Sequence, residues 1–465
     1  MAKNGFVFFL LALLAAHGTA FGQATPVLRM AGVEASGKIV RNYENTGKPI
    51  VYYDEGTSCG FACCDPSSFN FKRFDIAEGL HVNDFRILGG KLYFCGYQQG
   101  GSAIVGWFDI DDVFSNGNVS YTVYHMPGNI PSHYWYDGRD SLLAFDRLRL
   151  YKDGGNVHLL MVGRGWNVFH GQFESNPWLV ADFRIDQSGT VTLYYSMDYA
   201  LMIAYDDLDI VNKKLIVTGH KTGLADGNNN EHSFTYYTLP DSPLFNIFQS
   251  YDYAANYNIS VPMVTAPVAA YSGTSGYAER VLVTHLDGRR FATLCNGHCD
   301  DYGEGAMLTI YKSTNTILAR RWFNACEDKP FREMVFNREK NRLVFIQDDP
   351  TGEIYHVDLD AAFSPSSSLG IVSTGDYKWR SLDEIGSTAS QILSGHDSPD
   401  QPLLWMYPTL VSVNCYDFSS IEILPHHWND ILRDVEHAYI KTSRFTQPDT
   451  IHTELQEGET IILCE

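Results

Sequence analysis

A weak internal repeat constrains this chain more than any other feature. One copy runs Asn83-Asp84-Phe85-Arg86-Ile87-Leu88, turns at Gly89-Gly90, and continues Lys91-Leu92-Tyr93-Phe94-Cys95-Gly96. A second hairpin follows, from Ile104–Ile110 to Val119–Tyr124. The plan returns at Phe145–Leu150 with Val157–Gly163, and at Tyr205–Ile210 with Lys214–Gly219. Later copies start near Arg280, Glu333 and Thr388. Each copy reads as a strand, a tight polar turn and a second apolar strand, with two more strands completing the unit.

A four-stranded antiparallel unit cannot bury both of its faces alone. Stacking such units radially around an axis buries them, which is the β-propeller solution. Six units are visible between residue 82 and about 424. A seventh fits strands near Lys38–Tyr43, Pro49–Tyr53, Cys59–Cys64 and Phe69–Ile76. The expectation is therefore an all-β propeller of about seven blades, with six or eight as alternatives and a pair of β-sandwiches as the competing architecture. Thr460–Leu463 also reads as a strand, so strands from both ends are expected to close the ring. Aromatic residues at 14% agree with many short strands. Helical periodicity is confined to one short stretch, Trp428–Tyr439.

The N-terminus begins Met1-Ala2-Lys3-Asn4, followed by an apolar run from Phe6 to Ala16 and small residues at Gly18, Ala20 and Gly22. That pattern is a secretory signal over residues 1–22, leaving 23–465 as a single propeller domain. The apolar run falls short of the ~20 residues a spanning helix needs. A secreted, periplasmic or cell-surface location is expected, with no membrane span. The formal net charge is −21, and no Lys/Arg cluster exists to neutralise a phosphate backbone, so nucleic acid is excluded as a partner. An acidic surface favours a soluble monomer.

The strand and turn stretches Val82-Asn83-Asp84-Phe85, Leu92–Gly96 and Gly106-Trp107-Phe108-Asp109-Ile110 resemble those of uncharacterised secreted β-propellers of gut-type Bacteroidetes. The resemblance covers most of the mature chain, and it implies fold and export rather than an activity. The sialidase Asp box, the Gly-His…Trp-Asp pairing and the kelch double-glycine series are all missing.

If the first strand of each unit is innermost, the long loops sort to one face. His125–Asp140 carries His133, Trp135, Tyr136, Asp137 and Arg139. The stretch Arg164–His170 carries Arg164, Trp166 and His170. His220–His232, Asn296–Asp301 and the tyrosine-rich connection Tyr251–Tyr277 join them. Indole and phenol faces beside Asp and Arg suit sugar rings, whose C–H faces stack while their hydroxyls take polar partners. The expected function is binding of an extracellular ligand, carbohydrate first, through His133, Trp135, Tyr136, Asp137, Arg139, Arg164, Trp166 and His170. The competing reading for each aromatic is packing of its own loop. A propeller-fold glycoside hydrolase or polysaccharide lyase is the enzymatic alternative, and a cell-surface protein-interaction scaffold is the third.

A glycosidase would need two carboxylates ~5–10 Å apart. Asp137, Asp140, Asp300, Asp301 and Glu304 are available, but the 55 acidic residues give no basis for choosing a pair. No G-x-S-x-G elbow occurs. Nine cysteines leave at least one thiol unpaired in a monomer. Cys295-Asn296-Gly297-His298-Cys299 has suggestive metal spacing but lacks a fourth ligand, so a disulfide is the expected fate of Cys295 and Cys299 outside the cell. Cys95 reads as a small buried hydrophobe. No cofactor or metal is expected, Ca²⁺ being the exception that Asp226–Asn230 or Asp109–Asp112 would admit without matching a twelve-residue Ca²⁺ loop.

Overall fold

The computed structural model describes residues 27–30, 37–43, 48–54, 59–64, 70–115, 117–127, 130–131, 139–169, 173–175, 178–198, 203–212, 214–221, 231–238, 263–267, 276–299, 303–313, 316–324, 330–338, 340–347, 353–366, 369–373, 378–385, 390–396, 402–407, 414–416, 437–442 and 448–463. Among the described residues every element apart from the six-residue helix Ile110–Ser115 is a strand. Among the described residues no helix is long and apolar enough to cross a membrane. Residues 1–22 lie outside the described set, as does most of Trp428–Tyr439. The last residues of that expected helix instead belong to the strand His437–Thr442, which an adjacent sheet recruits by backbone pairing.

The sheets form a β-propeller. Consecutive strands pair antiparallel in each one, starting from Leu80–Leu88, Arg139–Asp153, Ile203–Val211, Gly276–His285 and Phe331–Asn337. Among the described residues five four-stranded blades thus stand alone, not the seven expected from the repeat. The strands nearest the two ends form one nine-stranded sheet, because Gln456–Leu463 and Val27–Met30 bridge the outer edges of the segments 37–75 and 378–407. The final copy of the repeat begins at Lys378–Ile385 rather than near Thr388. First strands touch one another in a closed cycle, from Gly37–Tyr43 through Leu80–Leu88, Arg139–Asp153, Ile203–Val211, Gly276–His285, Phe331–Asn337 and Lys378–Ile385 back to Gly37–Tyr43.

The strands described after residue 413 lie against the outer edges of the sheets. Asn414–Tyr416, His437–Thr442, Asp449–Glu454 and Gln456–Leu463 each pair with the outermost strand of a different sheet. Outer strands would otherwise present unpaired N–H and C=O groups, a template for aggregation, so this tail works as an edge cover.

Apolar side chains of neighbouring sheets interdigitate to make the cores. Phe61, Phe74, Phe85, Phe94 and Phe108 are all buried, with Phe61–Phe85 and Phe74–Phe108 ring centroids 5.5 and 5.1 Å apart in edge-on contacts. Tyr93, Cys95, Phe145, Leu148 and Met161 fill the next junction, and Leu282, Leu294, Phe331, Phe345 and Tyr355 a later one.

One irregularity recurs in every first strand. Pairing with the second strand skips one residue between Gly37 and Ile39, Val82 and Asp84, Phe145 and Arg147, Tyr205 and Asp207, Ala278 and Arg280, Phe331 and Glu333, and Trp379 and Ser381. These are β-bulges, which bend a strand and re-aim its side chains. Beside four of these bulges a second-strand side chain reaches across to the next sheet. Tyr52 accepts a hydrogen bond from the Val82 N–H at 3.1 Å, Cys95 donates to the Phe145 carbonyl at 3.8 Å, and Thr218 donates to the Val281 carbonyl at 2.8 Å. Asn296 makes two such bonds to Phe331, accepting from its N–H at 2.7 Å and donating to its carbonyl at 3.2 Å. Cys95 is therefore the buried residue the sequence implied, and also a stitch between blades.

His356 illustrates the cost of a polar group in this core. It is 4% exposed, and its ring occupies the space over Gly370, where any Cβ would collide with it. Burial, with Arg342 nearby, pushes its pKa down to about 4. The unfolded chain takes up this proton near pH 6.5, so the stability gained by a neutral His356 is fully present above that pH and is lost as pH falls towards 4. At about 1.4 kcal/mol per pH unit, this site alone removes about 2 kcal/mol between pH 6.5 and 5. Urea unfolding of His356→Phe is expected to show a pH dependence flatter by that amount, and an unchanged dependence would refute the assignment.

Candidate functional site

Arg139–Asp153 and Asn156–Phe169 form a hairpin of 15- and 14-residue strands, longer than the other first hairpins. Arg164–Phe169, expected as a loop, is the outer part of this second strand, held by pairs from Ala144–Arg164 to Arg139–Val168. The stretch Asn296–Cys299 is likewise strand rather than loop. In both cases continuous backbone pairing overrides the Gly and Asn content.

Of the sequence-derived site residues, the structure places Arg164 and Trp166 side by side on one strand face, two positions apart. Arg164 is exposed and grips Asp146 with both arms of its guanidinium, at 3.1 and 3.2 Å. Trp166 is half-buried. Arg139 opens the partner strand opposite Val168. His133, Trp135, Tyr136, Asp137 and His170 lie outside the described residues, as do Asp226–Asn230.

Asp146 is the extra residue of its bulge, and it also accepts from the Asn83 amide at 3.2 Å, Asn83 being the bulged residue of the preceding blade. The same pairing of a bulged residue with a second-strand residue recurs as Lys38–Asp54 at 3.0 Å and Asp206–His220 at 2.8 Å. Bulges thus set out polar pairs around the N-terminal ends of the first strands. Burial pushes the Asp206 carboxyl above its ordinary value, although His220 and the Val281 N–H work against that shift.

Below this rim the channel is crossed by arginines and carboxylates. Asp84 is fully buried and accepts from Arg41 at 2.7 Å, from the Phe85 N–H at 2.9 Å and from the Leu148 N–H at 3.0 Å. Arg86 and Arg149 stand 3.6 and 3.5 Å from it. Arg149 reaches on to Asp207 at 3.3 Å and Asp209 at 3.4 Å. Arg147 crosses to a distant part of the ring, bonding the Arg332 carbonyl at 2.9 Å and Glu333 at 3.4 Å. Burial alone would raise the Asp84 carboxyl, but Arg86, Arg41 and Arg149 outweigh it and hold the group well below the usual carboxylate range. Asp209 is held low in the same way by His285 and Arg149. Burial, together with Arg149 and Arg41, pushes Arg86 down to about 10.

A cavity of about 250 Å³ adjoins this lattice. Its wall includes Arg86, Arg149, Asp209, His285, Glu333 and Arg338. Ile210, Val211, Thr284 and His285 place it at the C-terminal ends of the first strands, towards the short hairpin turns and away from the bulge rim. Sequence reasoning passed over these residues because they sit inside core strands. Their signal was charge at alternate positions, as in Asp84-x-Arg86, Arg147-x-Arg149 and Asp207-x-Asp209.

A disulfide between Cys295 and Cys299 is excluded by geometry. Cys295 and Cys299 lie in one extended strand, Phe291–Cys299, where four residues span ~13 Å, about twice the Cα separation a disulfide tolerates. Asp111 and Asp112 lie in the helix Ile110–Ser115, and Asp109 pairs with Lys91 at 2.8 Å. Among the described residues no group of three or more His, Cys, Asp or Glu side chains is placed to hold a metal ion.

No protein-family model matches the chain. No curated protein matches its sequence either. Solved structures similar to it include a chain of the Mitotic Checkpoint Complex, with 9% identity over 84% of this chain and 97% of that one and a TM-score of 0.43. A putative 6-phosphogluconolactonase from Bacteroides uniformis aligns over 86% and 97% of the two chains, with 8% identity and a TM-score of 0.43. An oligogalacturonate lyase in complex with manganese aligns over 84% and 98%, with 11% identity and a TM-score of 0.44. At these values no activity passes from those proteins to this chain.

Proposed function

We propose that the chain is a secreted or periplasmic β-propeller that binds an extracellular carbohydrate through the face carrying residues 125–140 and 164–177. The observation behind this reading is the outer part of the long hairpin, where a fixed guanidinium, Arg164, stands two residues from the half-buried indole of Trp166. A pre-oriented cation beside an aromatic face meets a sugar's hydroxyls and its C–H face without ordering either group on binding. His133, Trp135, Tyr136, Asp137, Arg139 and His170 complete the proposed ligand set. The same reading takes residues 1–22 as an export signal, 23–465 as one domain and the protein as a monomer that does not bind nucleic acid.

Trp135→Ala combined with Trp166→Ala is expected to weaken binding to the glycans recognised on an array by tenfold or more, about 1.4 kcal/mol. Unchanged binding to every such glycan overturns the site.

A further inference from the structure

The cavity at the hairpin-turn end of the channel stands apart from the proposed glycan face and has a chemistry of its own. Six arginines line it, at 41, 86, 147, 149, 332 and 338, against the carboxylates of Asp207, Asp209, Glu333 and Asp383. With buried Asp84 added behind the wall, one positive charge remains in excess. The acids are engaged: Asp207 by Arg149 and the Val283 N–H, Asp209 by Arg149 and His285, and Glu333 by Arg41 and Arg147. Arg338 is exposed at the rim.

His285 supplies a second, independent pointer. It is 3% exposed, and its Nδ1 lies 3.1 Å from Asp209, whose carboxylate can only accept, so Nδ1 carries the proton. Nε2 of the same ring, which lines the cavity, is buried without a hydrogen-bond partner among the described residues. A buried polar atom without a partner costs about 1–3 kcal/mol, which a hydroxyl in the cavity would recover.

We propose that this cavity binds a small hydroxy acid, its carboxylate held by Arg86 and Arg338 and a hydroxyl hydrogen-bonded to His285 Nε2. Size limits the occupant: an apolar cavity of about 150 Å³ accepts benzene, so 250 Å³ accommodates on the order of ten non-hydrogen atoms. That is one sugar-acid or citrate-sized molecule and excludes an extended chain. Planar guanidinium groups suit carboxylate oxygens in paired geometry.

Calorimetric titration of the full chain with D-glucuronate, citrate and D-glucose tests this. At least one of the two acids is expected to bind below about 10 mM while glucose does not, and affinity is expected to fall tenfold or more in Arg338→Gln or His285→Phe. Arg338 is at the rim, so its variant keeps the wild-type melting temperature even if His285→Phe fails to fold. Failure of both acids to bind, equal binding of glucose, or full affinity in Arg338→Gln and in a folded His285→Phe each overturns the proposal. Acid binding that disappears in Trp166→Ala but survives in Arg338→Gln also overturns it, and assigns the acid to the hairpin face.

Discussion

Asp84→Ala is expected to destabilise the protein by about 3–5 kcal/mol, the usual consequence of removing one partner from a buried ion network. The carboxylate is fully buried and serves five groups: Arg41, Arg86, Arg149 and the N–H groups of Phe85 and Leu148. Truncation leaves three guanidinium groups facing one another across the channel and strands the Leu148 N–H. Coulomb repulsion rather than lost packing dominates, so Asp84→Asn, of nearly the same shape, should lose most of the same stability. Urea unfolding at neutral pH measures both variants, and a loss below about 1 kcal/mol in each would show that water screens the network.

The same carboxylate sets an acid limit. Its folded pKa lies below its unfolded value, so its contribution is complete above about pH 4 and disappears as pH falls further towards the folded value. Wild type should therefore lose stability steeply below pH 4, and Asp84→Ala should lose less over that window. Arg41→Met with Asp84→Leu should recover part of the loss, since it removes one of the three guanidinium groups that Asp84→Ala leaves facing one another.

Fold class was legible because strand, polar turn and apolar strand recur with period-two side-chain patterning, and a radial array alone buries such units. Gly89-Gly90 was readable as a hairpin turn, and both residues do adopt positive φ, 59° and 77°, as a two-residue type I′ turn requires. Blade count was less legible, because Gln456–Leu463 is more than 370 residues from its partner Asn70–Asp75 and carries no mark of which edge it will cover. Arg164 and Trp166 were picked out by composition, but their strand conformation was not, since long-range pairing decides what Gly165 and Asn167 do locally. The channel charges were hidden for a different reason. Alternation of Asp or Arg with Leu or Phe also describes an ordinary half-exposed strand, and only closure of the ring brings Arg147 to Glu333, 186 residues away.

Gly96→Val is expected to cost about 4 kcal/mol or more, beyond ordinary overpacking, because the obstruction is backbone. Gly96 faces Val82 across the first hairpin, at the edge of the bulge that follows. The bulge tilts the His81 carbonyl into the space a side chain would occupy, and even a Cβ there would collide with its oxygen. Neither partner can yield without shifting the first strand, whose Asp84 depends on its position to meet Leu148. Gly163, Gly219, Gly297 and Gly395 occupy the corresponding register opposite Phe145, Tyr205, Ala278 and Trp379. A glycine in the second strand is thus the sequence trace of the bulge in five of the seven hairpins, Tyr53 and Gln347 standing there in the other two. Gly101→Ala serves as the control: no atom lies within 4 Å of its added Cβ, so its stability should stay within about 0.5 kcal/mol of wild type. Thermal and urea unfolding of the two variants decide the matter, and a Gly96→Val protein as stable as Gly101→Ala would mean that the bulge can relax. Gly163→Val meets the Ala144 carbonyl in the same way, and a parallel loss there would show that the constraint is shared between blades rather than confined to one.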